Sequence, residues 1–374
     1  MGHEQVMKAL VLGLVLVGVV AGGYPPSKIA RQVPAMYVFG DSTLDVGNNN
    51  YLPGKDVPKA NLPPYGIDLP GSGKPKPTGR FSNGYNVADF VAKSLGFEKS
   101  PMAYLALRAR NVLVPGALST GVSYASAGAG ILDSTNEGSN IPLSKQVLYF
   151  KSTKAEMVAK AGPRAVNNLL AKSFFLIGVG SNDMFAFAAA QQQRNRPATP
   201  SEFAAFRDSL LSNYSAAIKE LHALGARKLG IINVGGVGCV PRVRVLNATG
   251  ACADGMNQLA VAFAGALSAR LAGELAPALP GLAYSLADSF RLFAVTDAAE
   301  NGFASADAAC CGGGRLGAEK DCLPGGELCG DRDRYVFWDR VHPSQRSAQL
   351  AGQAYFDGPA HIVAPITFKQ LAQK

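Results

Sequence analysis

Histidine is scarce in this sequence: four residues in 374, beside 36 lysines and arginines. Cysteine is absent from the first 238 positions, and its six copies form no Cys-x-x-Cys pair. That removes the usual zinc and thioredoxin-like spacings, so no metal and no cofactor is expected. Charged residues make up only 17% of the chain, and the net excess of +9 is scattered rather than gathered into a stripe. This argues against a nucleic-acid partner and leaves at most a loose attraction to an acidic matrix. No Gly-x-Ser-x-Gly stretch occurs, which speaks against the nucleophile elbow of the α/β-hydrolases. Beyond the N-terminus no run is long and apolar enough to cross a bilayer.

What is present starts at that N-terminus. Lys8 precedes an unbroken apolar or glycine stretch over 9–20, followed by Ala21-Gly22-Gly23 and Pro25-Pro26. The layout is that of a secretory signal peptide over 1–23, a retained anchor being the alternative. Residues 24–374 then read as one domain, with 24–35 a linker. An even number of cysteines behind such a segment points to disulfides in an oxidising compartment. Cys239 and Cys252 stand apart as one pair; Cys310 and Cys311 are expected to take Cys322 and Cys329, in either order. Asn213 and Asn247 begin glycosylation sequons. The secretory pathway is therefore the expected location, ending outside the cell or in the wall, with Golgi or ER retention as alternatives. The protein is expected to be a monomer with no stable membrane span after signal removal.

Strand and helix signals alternate along the rest. Strands are expected at 36–39, 174–179, 229–234 and 283–286. Helices are expected from the Asn86 cap to about Leu95, from Ser201 through Leu221, and at 256–275 and 344–356. The alternation predicts an α/β fold with a parallel sheet covered on both faces. Phe39-Gly40-Asp41-Ser42 places a serine just past the first strand, where open α/β sheets carry their chemistry. Acyl transfer on that serine needs a base. His3 leaves with the signal segment, His222 lies on a polar helix side, and His361 reads as a packing residue. His342 remains, three residues after Asp339 and followed by Pro343, which keeps it out of a helix. Donors for an oxyanion are the backbone N–H of Ser42, Gly128 in the small-residue run 121–130, and the Asn182 amide. Asp45 and Asp183 read as structural. Gly312-Gly313-Gly314-Arg315-Leu316-Gly317 fits a dinucleotide fingerprint only on paper, because no strand is expected before it.

Four blocks resemble the SGNH hydrolases, in the version of the plant GDSL esterase/lipase family. They include Phe39-Gly40-Asp41-Ser42, Gly180-Ser181-Asn182-Asp183 and Asp339-x-x-His342-Pro343. Pro63-Pro64-Tyr65-Gly66, 79–84 and 238–241 extend the likeness over nearly the whole mature chain. The resemblance implies a three-layer α/β/α sandwich around a central parallel sheet. It also implies Ser42 as nucleophile, His342 as base, Asp339 as its orienting partner, and Gly128 and Asn182 as oxyanion donors. Thr43 and Gly235-Gly236 depart from the family pattern. The implied function is carboxylic ester hydrolysis on an acetylated wall polysaccharide of xylan type or on a lipid ester. The basic, glycosylatable chain leans slightly to the polysaccharide. An acyltransferase, or a catalytically idle wall-binding protein, is the alternative.

Overall fold

Short strands that are apolar at most positions build the centre of the molecule. The computed structural model describes residues 30–71, 74–295 and 298–374, so the expected signal segment over 1–23 lies outside it. The strands among the described residues are β1 (Met36–Gly40), β2 (Gly121–Ser123), β3 (Phe174–Gly178) and β4 (Lys228–Ile232). They continue with β5 (Ala283–Ala287), β6 (Ser305–Ala309), β7 (Tyr335–Phe337) and β8 (Val363–Ala364). One sheet runs in the order β2-β1-β3-β4-β5-β8, and β6 pairs with β7 apart from it. All pairs of the main sheet are parallel except β5–β8. The expected parallel sheet is present, with a two-residue antiparallel edge strand that sequence reading did not anticipate.

Strand β1 explains the layering. Tyr37 and Phe39 point into one core with Phe175, Ile177, Leu229 and Ile231; Met36 and Val38 point into the other with Phe174 and Leu176. The first core is closed by the helices Leu143–Ala161, Pro200–Ala223 and Asp254–Arg270, through side chains such as Phe150, Tyr214 and Phe263. The second is closed by Val87–Ser94, Gln345–Asp357 and Phe368–Gln373. Each large apolar side chain buried this way stabilises the fold by about 1.5–3 kcal/mol, so a strand with two buried faces needs no alternation of polarity.

Several helix ends follow from their capping residues. Asn86 accepts from the Asp89 N–H while the Asp89 carboxylate accepts from the Asn86 N–H, starting the helix where expected. Thr199 and Glu202 form the same reciprocal cap, which moves the start of the long helix from Ser201 to Pro200. The polar stretch 191–200 is partly helical, since Ser181–Gln193 extends into it. Leu143–Ala161 and Pro163–Lys172 lie outside the helices expected from sequence; the buried residues of the first recur at helical spacing, but two of them, Gln146 and Thr153, are polar and blur the apolar stripe. The expected closing helix is Gln345–Asp357, capped by Ser344, but β8 and Phe368–Gln373 follow it.

Other expectations are corrected. Asp254–Ala278 is long and apolar enough to cross a membrane by length and composition, contrary to the sequence reading. Leu259, Phe263, Leu267, Leu271 and Leu275 of this helix are buried in the first core. A short strand, β6, does precede the 312–317 glycine run. That run turns through the single 3₁₀ turn Arg315–Gly317 instead of opening a helix, so it makes no phosphate cradle. His361 is exposed rather than packed, because 358–361 follow the helix end as surface chain. His222 is half-buried, its Nε2 2.9 Å from the Pro280 carbonyl.

Candidate active site

The sheet order 2-1-3-4-5 reverses direction between β1 and β3, and such a switch point opens a crevice at the carboxyl ends of the two strands. Ser42 lies just past β1, and Asn182 opens the first turn of the helix after β3. Gly40 and Gly178 pair across the two strands. A Cβ on Gly40 would clash with the Gly178 carbonyl oxygen, so only glycine lets the strands close there. The buried Gln146 side chain grips the same point: its amide donates to the Gly40 carbonyl at 2.8 Å, and its Oε1 accepts from the Gly40 N–H at 2.8 Å. The turn that follows is held by Asp41, whose Oδ1 accepts from the Thr43 N–H and hydroxyl.

Ser42 Oγ stands 2.8 Å from His342 Nε2, and His342 Nδ1 stands 2.8 Å from both Asp339 carboxylate oxygens. The segment between them folds because Asp339 Oδ1 also accepts from the N–H groups of Val341 and His342, at 2.9 and 2.8 Å. Tyr65 donates its hydroxyl to Asp339 Oδ2 at 2.8 Å. Burial works against the charged form of Asp339, but the neighbouring His342 and the backbone N–H groups of Val341 and His342 outweigh it and hold the carboxyl below its usual range. Burial, reinforced by the charge of Asp339, drives the Tyr65 hydroxyl well above its ordinary value, so it remains a donor. The Phe81 ring lies 4.8 Å from the imidazole, centroid to centroid.

The loop after β2 is pinned residue by residue. Asn48 donates to the carbonyls of Ser123 and Ala125, Asn49 to that of Ala127, and Asn182 to that of Ala129. Asp45 accepts from the Ala127 N–H, and Asp183 from those of Ile131 and Leu132. Both carboxylates therefore hold loops, as expected for structural residues. Among the described residues the N–H groups of Ser42 and Gly128 have no partner, and Gly128 has a φ of +84°. An amide nitrogen has two hydrogens, so Asn182 keeps one beyond its bond to Ala129.

A cavity of about 290 Å³ opens beside Ser42, Asn182 and His342. Its wall is mostly apolar: Leu44, Ile232 and Val234 from the sheet side, Phe293 from the helix Ser289–Val295, Phe337, and Ala351 from the helix Gln345–Asp357. Gly128 lies outside that lining.

The six cysteines pair as Cys239–Cys252, Cys310–Cys329 and Cys311–Cys322. The first pair is the one expected, and the order left open in the second group is now defined. Cys310, Cys311 and Cys322 pack around Trp338, directly before Asp339. Asn213 and Asn247 are both exposed.

Ser42, His342, Asp339 and Asn182 were legible as candidates. Gln146, Phe81 and the part played by Tyr65 were not. Tyr65 and Phe81 sit in blocks with a visible pattern, but nothing in those blocks says which side chain they face. Gln146 gave no signal.

A serine hydroxyl in line with an imidazole and a buried carboxylate is the arrangement of a hydrolase that works by nucleophilic acyl transfer. The model of the GDSL-like Lipase/Acylhydrolase family matches residues 36–354. Two GDSL esterase/lipases of Arabidopsis thaliana are 38% and 35% identical to the chain over 349 and 351 residues. Each alignment covers 91% of this chain, with 90% and 86% of the relatives. A lipase from a goat rumen metagenome is 12% identical, with a TM-score of 0.37 over 85% of this chain and 94% of its own, too loose a match to add to the argument. The chain belongs to the GDSL esterase/lipase family. It is a carboxylic ester hydrolase with an SGNH-type α/β/α fold.

Proposed function

We propose that the protein hydrolyses esters with an apolar acyl group through a covalent intermediate on Ser42. The observation that carries this reading is the apolar cavity that opens at Ser42 and His342. An acetyl group would leave nearly all of it empty. Each methylene buried there adds about 0.8 kcal/mol to binding, so a longer chain is favoured over acetate. The weight therefore moves from acetylated polysaccharide to a lipid ester.

In the first half-reaction Ser42 Oγ attacks the ester carbonyl while His342 Nε2 takes its proton. Asp339 keeps the Nδ1–H tautomer and balances the imidazolium. The carbonyl oxygen becomes an oxyanion, held by the N–H groups of Ser42 and Gly128 and the Asn182 amide. As the tetrahedral intermediate collapses, the C–O bond to the alcohol breaks and His342 returns the proton to that oxygen. Water then attacks the acyl-Ser42 ester, His342 again taking and returning the proton, and the carboxylic acid leaves. Another alcohol in place of that water would turn the same acyl-Ser42 to transfer, which is the alternative reading.

Three disulfides fit a secreted protein. Asn213 and Asn247 are the proposed glycan positions and the cell wall the proposed location. The test is a panel of p-nitrophenyl acetate, octanoate and palmitate together with acetylated xylan. Octanoate should exceed acetate in kcat/KM by at least about tenfold, as the methylene increment requires. A preference for acetate and acetylated xylan would overturn the substrate reading. Ser42→Ala should be folded and inactive on every ester; wild-type activity in that variant would remove Ser42 as nucleophile.

A further inference from the structure

Tyr65 comes from the loop after β1, 274 residues before Asp339, yet its hydroxyl sits 2.8 Å from Asp339 Oδ2. Asp339 Oδ1 is already fixed by two backbone N–H groups of its own turn, whereas Tyr65 is the one donor besides His342 that reaches Oδ2 among the described residues. The loop bearing Tyr65 is tied to both segments around the imidazole. Gly66 N–H donates to the Ser82 carbonyl, and Asp68 N–H to that of Asn83. The Asp68 carboxylate receives a two-pronged contact from Arg332, both distances 2.7 Å. Asn83 in turn accepts from the Gln345 N–H, three residues past His342. The Tyr65 ring stands edge-on to Trp338 and Phe81, at 6.1 and 5.9 Å, and Phe81 lies against His342.

From this geometry we propose that Tyr65 is a positioning residue of the reaction: its hydroxyl sets the plane of the Asp339 carboxylate and restrains its basicity toward His342. The proposal rests on the Ser42–His342–Asp339 reading. A carboxylate held at one oxygen by its own turn can still tilt about that anchor; a donor on the second oxygen removes the tilt, so the Nδ1–H bond keeps its direction while the ring gains and loses charge. The same hydrogen bond draws charge out of the carboxylate. Its removal leaves Asp339 a stronger partner for the imidazolium, which then gives up its proton at higher pH. The phenol takes no part in proton transfer, because burial and the adjacent carboxylate keep it protonated.

Tyr65→Phe retains the ring and its packing and deletes only the hydrogen bond. On p-nitrophenyl octanoate kcat should fall about tenfold, the lower end for a hydrogen bond to a charged group, with KM unchanged. The acid limb of the kcat/KM profile should move up by about half a pH unit, a change that lost packing alone would not produce. Combined with Asp339→Asn, the substitution should cost nothing further, since its effect passes through that carboxylate. A Tyr65→Phe protein with wild-type kcat and pH profile, beside an Asp339→Asn protein that has lost activity, overturns the proposal and leaves the triad standing. Wild-type activity in Asp339→Asn would instead remove the triad reading itself. Should Tyr65→Phe prove unstable, Asp68→Asn, which loosens the loop from Arg332 but keeps the phenol, should give the same upward shift in a smaller degree; no shift there also counts against the proposal.

Discussion

Replacement of Asn182 by alanine separates binding from turnover at this site. The half-buried residue sits in the first turn after β3, donates one amide hydrogen to the Ala129 carbonyl at 3.0 Å, and lines the cavity. On the proposed reading two N–H donors, those of Ser42 and Gly128, would remain for the oxyanion. Loss of one donor of three costs about 100- to 1,000-fold in turnover, equivalent to about 2.7–4 kcal/mol of transition-state stabilisation. The loop itself should stay in place. Asp45 and Asn49 still hold Ala127, at 3.1 and 2.9 Å, and Asp183 still holds Ile131 at 2.8 Å. The loss to folding stability is then one ordinary hydrogen bond, about 1 kcal/mol. Because the missing bond strengthens only as charge develops on the carbonyl oxygen, KM should barely move. The assay is steady-state hydrolysis of p-nitrophenyl octanoate, with thermal unfolding followed by circular dichroism. A fall in kcat smaller than about fivefold, or a change confined to KM, would refute the placement of Asn182 among the oxyanion donors.

Arg80→Met should destabilise the fold by about 3–5 kcal/mol in urea titration, since it strands the buried Asp89 carboxylate that Arg80 holds at 2.7 and 2.8 Å; a loss below about 1 kcal/mol would contradict this. Removal of the Cys310–Cys329 bridge by a double alanine substitution should lower activity before far-UV ellipticity changes, because Cys310 and Cys311 donate to the carbonyls of Phe337 and Trp338, just before Asp339. Activity and unfolding that decline together would argue against that local effect. The folded-state carboxyl of Asp339 lies below its unfolded value of about 3.9, so it contributes stability above that pH which is lost as pH falls through the folded value. Asp339→Asn should therefore lose less of its urea midpoint than wild type between pH 6 and pH 3, and an equal loss would show that the contribution is absent.

Much of this protein is determined locally. The apolar runs at β1, β3 and β4 read as buried strands from their own residues, and Asn86 reads as the start of a helix, whereas the equally local cap at Thr199 displaces the start expected at Ser201. The scarcity of histidine leaves His342 as the candidate base by elimination, and Asp339 reaches it within one turn of chain. These inferences need nothing beyond neighbours a few residues apart. The grip of Gln146 on Gly40 spans 106 residues, and the contact of Tyr65 with Asp339 spans 274. A glutamine or tyrosine has the same local preferences whether or not it ends beside a catalytic group, so no pattern along the chain could disclose either partner. The cavity likewise exists only where sheet, Ser289–Val295 and Gln345–Asp357 meet. Sequence therefore determined which groups are candidates to react, and the tertiary packing decided what holds them in line and how large a cavity opens beside Ser42.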